Sequence, residues 1–356
     1  MKISQIYVYP IKSLRGTALE SAEATYRGFQ YDRCYMLVKQ ALKQRNMLVS
    51  EFPEMCLFLT SIVYPSKQSP DSGKIIVTYM KPGSTEQRFL EVPLEPEIKG
   101  LDKMEITLHS SPTNAYNMGQ KYNQWFSECF GYEVILAYIG ENRRELLGNL
   151  APSVAWKQQQ RKEQNSWTSS LTSRLPNIGN VPGVKQGLTF SDVAPYLVIT
   201  EKSWQNANLR LPGNKTIDIT KFRPNIVIEG AEEDFEEDFW AELAIGDTLK
   251  LVLTQNCVRC KSLNVDHATG KMGTGEAGSI FKKLQKDRRV DSGNKWSPVF
   301  GRYGFLHEDM AGASMHVGDE VRVLRRNKER TTFGKSGELR SDIVWSSRYP
   351  SQNGQV

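Results

Sequence analysis

The chain opens, in MKISQIYVYPIKSLRG, on an alternation of apolar and polar residues that reads as a first strand over 3–9. Further strands are predicted at 34–39, 58–63 and 75–79, with Pro, Ser and Gly clusters at 65–73 and 82–85 marking the turns between them. Between Gly119 and Phe130 the period changes. Tyr122, Trp125, Phe126, Cys129 and Phe130 recur at helical spacing and predict an amphipathic helix whose aromatics belong to a core.

From 141 to 186 the apolar pattern stops. Gln158-Gln-Gln-Arg-Lys-Glu-Gln164 is polar throughout, and this stretch reads as a linker or lid loop between two halves. Order resumes with a strand at 196–200, a helix at 201–209, a strand at 225–229 and a short helix at 235–243. The six acids between 232 and 238 read as a solvated face of that last helix. Segments 245–253 and 317–324 resemble each other, each a Gly-Asp turn followed by a period-2 strand. The pattern is α+β and mainly β. An N-terminal β-rich domain over 1–140 and the linker 141–186 precede a β-barrel with short peripheral helices over 187–326, and 327–356 is expected as a disordered basic tail.

Composition narrows the functional classes. Hydrophobic residues make up 39% and charged residues 24% of the 356, ordinary globular values. No run approaches the roughly 18 apolar residues of a membrane-spanning helix. The N-terminus has neither a secretory apolar core nor a transit-peptide composition, so an intracellular protein, cytoplasmic or mitochondrion-associated and without an anchor, is expected. Net charge is +6, but from Arg325 onward seven Lys/Arg face only three acids, so most of the surplus sits in the tail. No nucleic-acid motif accompanies it, and no nucleic-acid partner is expected. The five cysteines (34, 56, 129, 257, 260) form no evenly spaced framework and read as reduced thiols.

The candidate chemistry centres on Cys257-Val-Arg-Cys260, directly after the strand 248–253. A zinc site wants four Cys or His ligands, and His267 alone does not complete a set. A dithiol redox site normally stands at a helix start in a βαβ unit. A single thiolate favoured by Arg259 would suit a soft transition metal. Two buried structural cysteines are the fourth reading, and spacing alone does not separate the four. His109, His267, His307 and His316 show no mutual spacing for a metal site or triad and read as structural or surface residues.

A series of short motifs adds context: Tyr9-Pro-Ile-Lys-Ser13, Tyr31-Asp-Arg33, Phe190-Ser-Asp192 before Pro195, and Phe222-Arg-Pro-Asn225. Cys257-Val-Arg-Cys260 follows with Val265-Asp266 and Thr269-Gly270, then Ser297-Pro-Val-Phe-Gly301 and Val317-Gly-Asp319. In this order they resemble the MOSC family, in particular its mitochondrial amidoxime reducing components and the C-terminal domain of its molybdenum cofactor sulfurases. The resemblance implies a MOSC-type β-barrel and a molybdenum–molybdopterin cofactor whose protein ligand is the second cysteine, Cys260. It also assigns Lys12, Arg33, Arg223 and Arg259 as cations around the cofactor, with Val258 lining it. Arg suits bidentate phosphate or pterin contacts, and Ser13, Asp192 and Asn225 can hydrogen-bond a pterin. Val193 and Ala194 stand where hydroxyl residues often follow the Ser-Asp pair, leaving only backbone contacts there.

The activity so implied is reduction of N-hydroxylated substrates (amidoximes, hydroxylamines, with nitrite as a side activity). Electrons would come from NADH through a reductase and cytochrome b5 or an equivalent haem protein. The alternative is a cofactor-binding, carrier or sulfuration-related protein without turnover.

Overall fold

The structure is a computed structural model, and it describes residues 1–40, 44–65, 73–146, 187–276, 278–306 and 310–332. Most of the predicted linker (147–186) and the tail beyond 332 lie outside the described residues.

The C-terminal half is built on one eight-stranded sheet. Its order is Thr17–Leu19, Lys2–Val8, Ile226–Glu229, Tyr196–Thr200, Val299–Leu306, Leu249–Val258, Trp240–Ile245 and Val321–Arg326. The sheet curls until Lys2 bridges Glu320, and backbone bonds from Gly318 N to Ile3 O and from Val321 N to Met1 O close that corner. Ile3, Ile6, Val198, Ile226, Ile228, Trp240, Leu251 and Leu306 fill the interior. Pairing is antiparallel except between Tyr196–Thr200 and Ile226–Glu229, which run parallel. The helix Glu201–Leu209 lies between those two strands in sequence, as a parallel crossover requires. Thr200 caps it by accepting from Ser203 N.

The N-terminal half stacks smaller sheets on the helix Gln120–Phe130, which stops at Gly131 in the left-handed conformation. One sheet runs Lys103–Leu108, Ser111–Asn117, Val134–Tyr138, Tyr35–Lys39, Arg45–Asn46, and another runs Phe58–Val63, Lys74–Met80, Gln87–Pro93. The helix aromatics pack inside this half, where Phe58 meets Trp125, Phe126 and Phe130.

The halves interlock at their first residues. Lys2–Val8 pairs in the large sheet, yet Ile11 bridges Tyr35 and Arg15 bridges Leu59 in the N-terminal sheets. Residues 9–16 therefore straddle two cores, and the site forms along that seam.

Two expectations are corrected. The helix read over 235–243 is a single 3-10 turn at Glu236–Phe239, followed by the strand Trp240–Ile245. Phe235, Phe239, Trp240 and Leu243 imitate a helical stripe, but Trp240–Ile245 is buried on both faces, where no alternation survives. The acids beside it divide: Glu232, Glu233 and Asp234 are exposed as a solvated face would be, but the last two are not. Glu237 and Asp238 are fully buried; Glu237 accepts from Ser203 Oγ at 2.8 Å, and Asp238 takes both Arg288 Nη2 and Arg330 Nε. Arg330 comes from the segment expected as tail, and its neighbour Thr331 binds the buried Arg302 and Asn256.

Candidate functional site

The seam carries a cleft of about 1000 Å³ counting its open mouth. Its walls bring together Lys12, Ser13, Arg33, Asp192, Val193 and Ala194 with Arg223, Asn225, Val258, Arg259 and Cys260. All eleven residues singled out from the sequence thus meet at one place, although they come from five separate segments. The backbone is tense there. Seven non-glycine residues among those described have positive φ, and four of them, Ser13, Arg33, His109 and Arg223, line this cleft. Such conformations persist only where surrounding contacts over-determine them, and they gather at functional sites.

The loop after the first strand presents Lys12 and Ser13. Tyr9 N donates to the buried Asp32 Oδ1 at 2.8 Å, Arg33 N donates to Tyr9 O, and Lys12 N donates to Tyr35 O. Gly16 allows the close return, since a Cβ there would stand 2.5 Å from Tyr9 Cδ1. Lys12 is 4% exposed, and burial lowers its ammonium to about 8 even though Asp192 accepts its hydrogen bond. Asp192 lines the cleft with its carboxylate half exposed. Burial alone would raise its carboxyl, but Lys12 and His109 outweigh that and hold it well below the usual range.

Two arginines bracket the Tyr9 ring, Arg33 at 4.8 Å and Arg223 at 4.4 Å from its centroid. Arg33 is committed to Asp32 and to Asn225 Oδ1. Asn225 also accepts from Leu197 N and donates to Tyr7 O, so both ends of its amide are engaged and it braces Arg33. Arg223 Nη1 donates to Leu14 O, while its Nη2 is buried with no hydrogen-bond partner. Burial, then the charge of Arg33, lowers Arg223 to about 10.

The strand expected to end at 253 runs on to Val258, because Val258 still pairs with Val299. Cys257 therefore lies inside the strand, and Cys260 leaves it into a 3-10 turn over Lys261–Asn264. The two thiols differ. Cys257 is 1% exposed, raised by burial, and accepts from Arg259 Nη1 at 2.9 Å. Cys260 is partly exposed in the cleft, with Ser262 Oγ 3.0 Å from its sulfur. Arg259 hydrogen-bonds Cys257 through Nη1 and Phe222 O through Nη2. No group of three or more His, Cys, Asp or Glu able to hold a metal occurs among the described residues, so the zinc reading finds no ligand set there.

Family models match both halves: a MOSC N-terminal beta barrel domain over residues 1–133 and a MOSC domain over 185–322. The chain belongs to the MOSC family. This MOSC protein is 27% identical over 333 residues to mitochondrial amidoxime-reducing component 1 of Homo sapiens, covering 90% of the chain and 82% of the relative. It is 28% identical to mitochondrial amidoxime reducing component 2 of Rattus norvegicus, with the same coverages. The molybdenum cofactor sulfurase of Homo sapiens is 25% identical over 92% of this chain, which spans only 33% of that relative. A solved structure, YiiM from Geobacillus stearothermophilus, is 12% identical over 37% of this chain and 55% of that one, with a TM-score of 0.25, too slight a likeness to inform the fold.

The MOSC cleft also holds residues that the sequence did not reveal. His109, read as structural or surface, lines it and stands 3.0 Å from Asp192 Oδ1. Arg144 is 2% exposed and ties the Asp192 loop by donating to the carbonyls of Thr189, Ser191 and Asp192. Tyr303 and Ser262 complete the wall around the cysteines. The other described histidines lie in local pairs, His267 with Asp218 and His316 with Asp319, while His307 is outside the described residues. Asp266 caps its own turn by accepting from Ala268 N and does not line the cleft. For an anionic, hydrogen-bonding cofactor held by one thiolate, these residues fit. The clearest sign is the partnerless Arg223 Nη2, a buried donor that an anion would satisfy.

Proposed function

We propose that this MOSC protein binds molybdenum–molybdopterin in the seam cleft and reduces N-hydroxylated compounds such as amidoximes and hydroxylamines. The observation that carries the reading is the meeting of an accessible cysteine with four cationic side chains, one of them a buried guanidinium with a free nitrogen. Cys260 Sγ is the ligand offered to the metal, on a loop fixed by the bond from Arg259 N to Pro298 O. Lys12 and Arg223 neutralise the anionic part of the cofactor, while Arg33 and Arg259 stiffen their surroundings. Ser13, Val258 and the Val193–Ala194 backbone line the remaining wall. When bound, the cofactor supplies the two-electron chemistry that takes oxygen from nitrogen.

Electrons reach the site from NADH through a reductase and a cytochrome b5-type haem protein. The support is the relatives named amidoxime reducing components. Those relatives are named mitochondrial, and a mitochondrion-associated or cytoplasmic location is part of the proposal. Among the described residues no helix is long and apolar enough to cross a membrane.

The test is metal analysis of protein made in a host that synthesises molybdopterin. Stoichiometric molybdenum is expected in the wild type, absent in Cys260→Ala, with benzamidoxime reduction lost in parallel. Equal molybdenum in both proteins overturns the ligand assignment. The sulfurase match supports a second reading, a carrier that hands the cofactor on. A carrier releases molybdenum to an acceptor apoprotein within one encounter; an enzyme keeps it through many turnovers.

A further inference from the structure

His109 reaches the cleft in an unusual way. The strands Lys103–Leu108 and Ser111–Asn117 stay in register up to Leu108 opposite Ser111, so His109 and Ser110 alone form the connection. Both have positive φ, 52° and 63°. A two-residue hairpin with this backbone normally uses Asn-Gly or Asp-Gly, which adopt it at little cost. Neither residue here is of that kind, so the strain must be held by contacts. Those contacts point at the site: Arg144 Nη2 donates both to Leu108 O at 3.1 Å and to Asp192 O at 3.3 Å, and His109 Nε2 lies on Asp192 Oδ1.

Among the described residues, the charged groups around the imidazole include Asp192, Lys12 beyond it on the same carboxylate oxygen, and Arg144 behind the hairpin, with Arg33 on the same cleft wall. Lys12 and His109 both occupy Oδ1. Among the described residues nothing bonds Oδ2, and the carboxylate is 47% exposed, into the cleft. A carboxylate held as an anion between an ammonium and an imidazole can pass a proton but cannot store one. The imidazole has two ring nitrogens, so it can give a proton through one and take a proton back through the other.

We propose that His109 supplies protons to the substrate in this cleft, handing them through Asp192. The inference rests on the reductive reading above. The reaction is RC(NH2)=NOH + 2 e⁻ + 2 H⁺ → RC(NH2)=NH + H2O, with electrons delivered singly by a haem protein. The N–O bond breaks, the oxygen leaves as water, and the nitrogen gains a hydrogen. His109 sits outside the reacting atoms and acts through Asp192, reprotonating from solvent at the cleft mouth.

The test uses the full chain carrying its cofactor, with His109→Asn and His109→Gly, two residues that tolerate positive φ. Molybdenum content and KM are expected to stay at wild-type values, while kcat falls about 10²-fold. The pH profile of kcat should lose the limb that depends on a histidine, and added imidazole should restore part of the rate in the Gly variant. A second readout needs no turnover: in cofactor-free protein the Asp192 carboxylate, followed by carbon NMR, should titrate at higher pH in His109→Asn. Unchanged kcat and pH profile in an otherwise active protein overturn the relay and leave the reductive reading standing. So does a loss of kcat with an unaltered pH profile and no imidazole rescue. Fully loaded wild type that reduces no N-hydroxylated compound overturns the reading itself, and the relay with it. An Asp192 titration indifferent to His109 overturns the relay whatever the activity.

Discussion

Lys12 carries a charge in a place that resists it. Its folded ammonium is pushed by burial from 10.5 to about 8, so between those values the unfolded chain binds the proton more tightly. Stability therefore rises with pH across that window, while the cation needed for an anionic ligand is being lost. Cofactor retention on prolonged dialysis should fall as pH climbs through about 8 in the wild type. Lys12→Gln should be weak throughout, with no such slope, and a wild-type profile flat to pH 9 would remove Lys12 from the cofactor's grip. At this scale the sequence was informative where chemistry is unusual: motif order picked out eleven residues that the fold brings to one cleft. It was silent on His109 and Arg144. His109 sits in a turn without the Asn or Gly that signals one, and Arg144 binds backbone carbonyls, a role no spacing announces. Arg259 lies beside the cysteines as its spacing implies, and the hydrogen bond it makes there goes to the Cys257 sulfur.

Among the elements, the 3-10 turn Glu236–Phe239 combines a tight bend with two buried acids. Burial, then the charge of Asp238, raises Glu237 from 4.5 to about 7. The folded state thus binds the extra proton, and stability falls as pH rises through that window, by up to about 3 kcal/mol at 1.36 kcal/mol per pKa unit. Glu237→Gln should flatten that slope in urea titrations between pH 4.5 and 7.5 while keeping the bonds to Thr200 and Ser203. An unchanged slope would mean that Glu237 is not its source. Gly301 makes the matching case for backbone. It lies mid-strand at φ +86°, and a Cβ would stand 2.8 Å from Val198 O. Gly301→Ala should cost about 2–3 kcal/mol of unfolding free energy, the range for strained backbone in a strand that cannot give way. Strands with one solvated face were readable from alternation, such as Lys74–Met80. Trp240–Ile245 was not, because burial on both faces erases the period that distinguishes strand from helix.

Across the whole molecule the cleft belongs to neither half. Lys12, Arg33 and His109 come from the N-terminal segments and Arg223, Arg259 and Cys260 from the C-terminal ones. A ligand that binds only this joined arrangement stabilises it by mass action, about 2.7 kcal/mol at a hundredfold excess over Kd. Cofactor-loaded wild type should therefore melt several degrees above the cofactor-free protein, and Cys260→Ala should melt with the latter. Coincident melting of all three would detach the cleft from cofactor binding.

The interlocked first strand also sets an order of events during synthesis. Lys2–Val8 is translated long before Ile226–Glu229, one of its two neighbours in the sheet. Until that stretch has been translated, the N-terminal sheets can assemble but Tyr9 to Gly16 has only one of its two anchors, and the pocket has no second wall. Pairing across such a separation is slow and leaves an apolar edge waiting. Loading with any tightly held ligand therefore waits until the C-terminal wall of the cleft has been made and joined to the first strand.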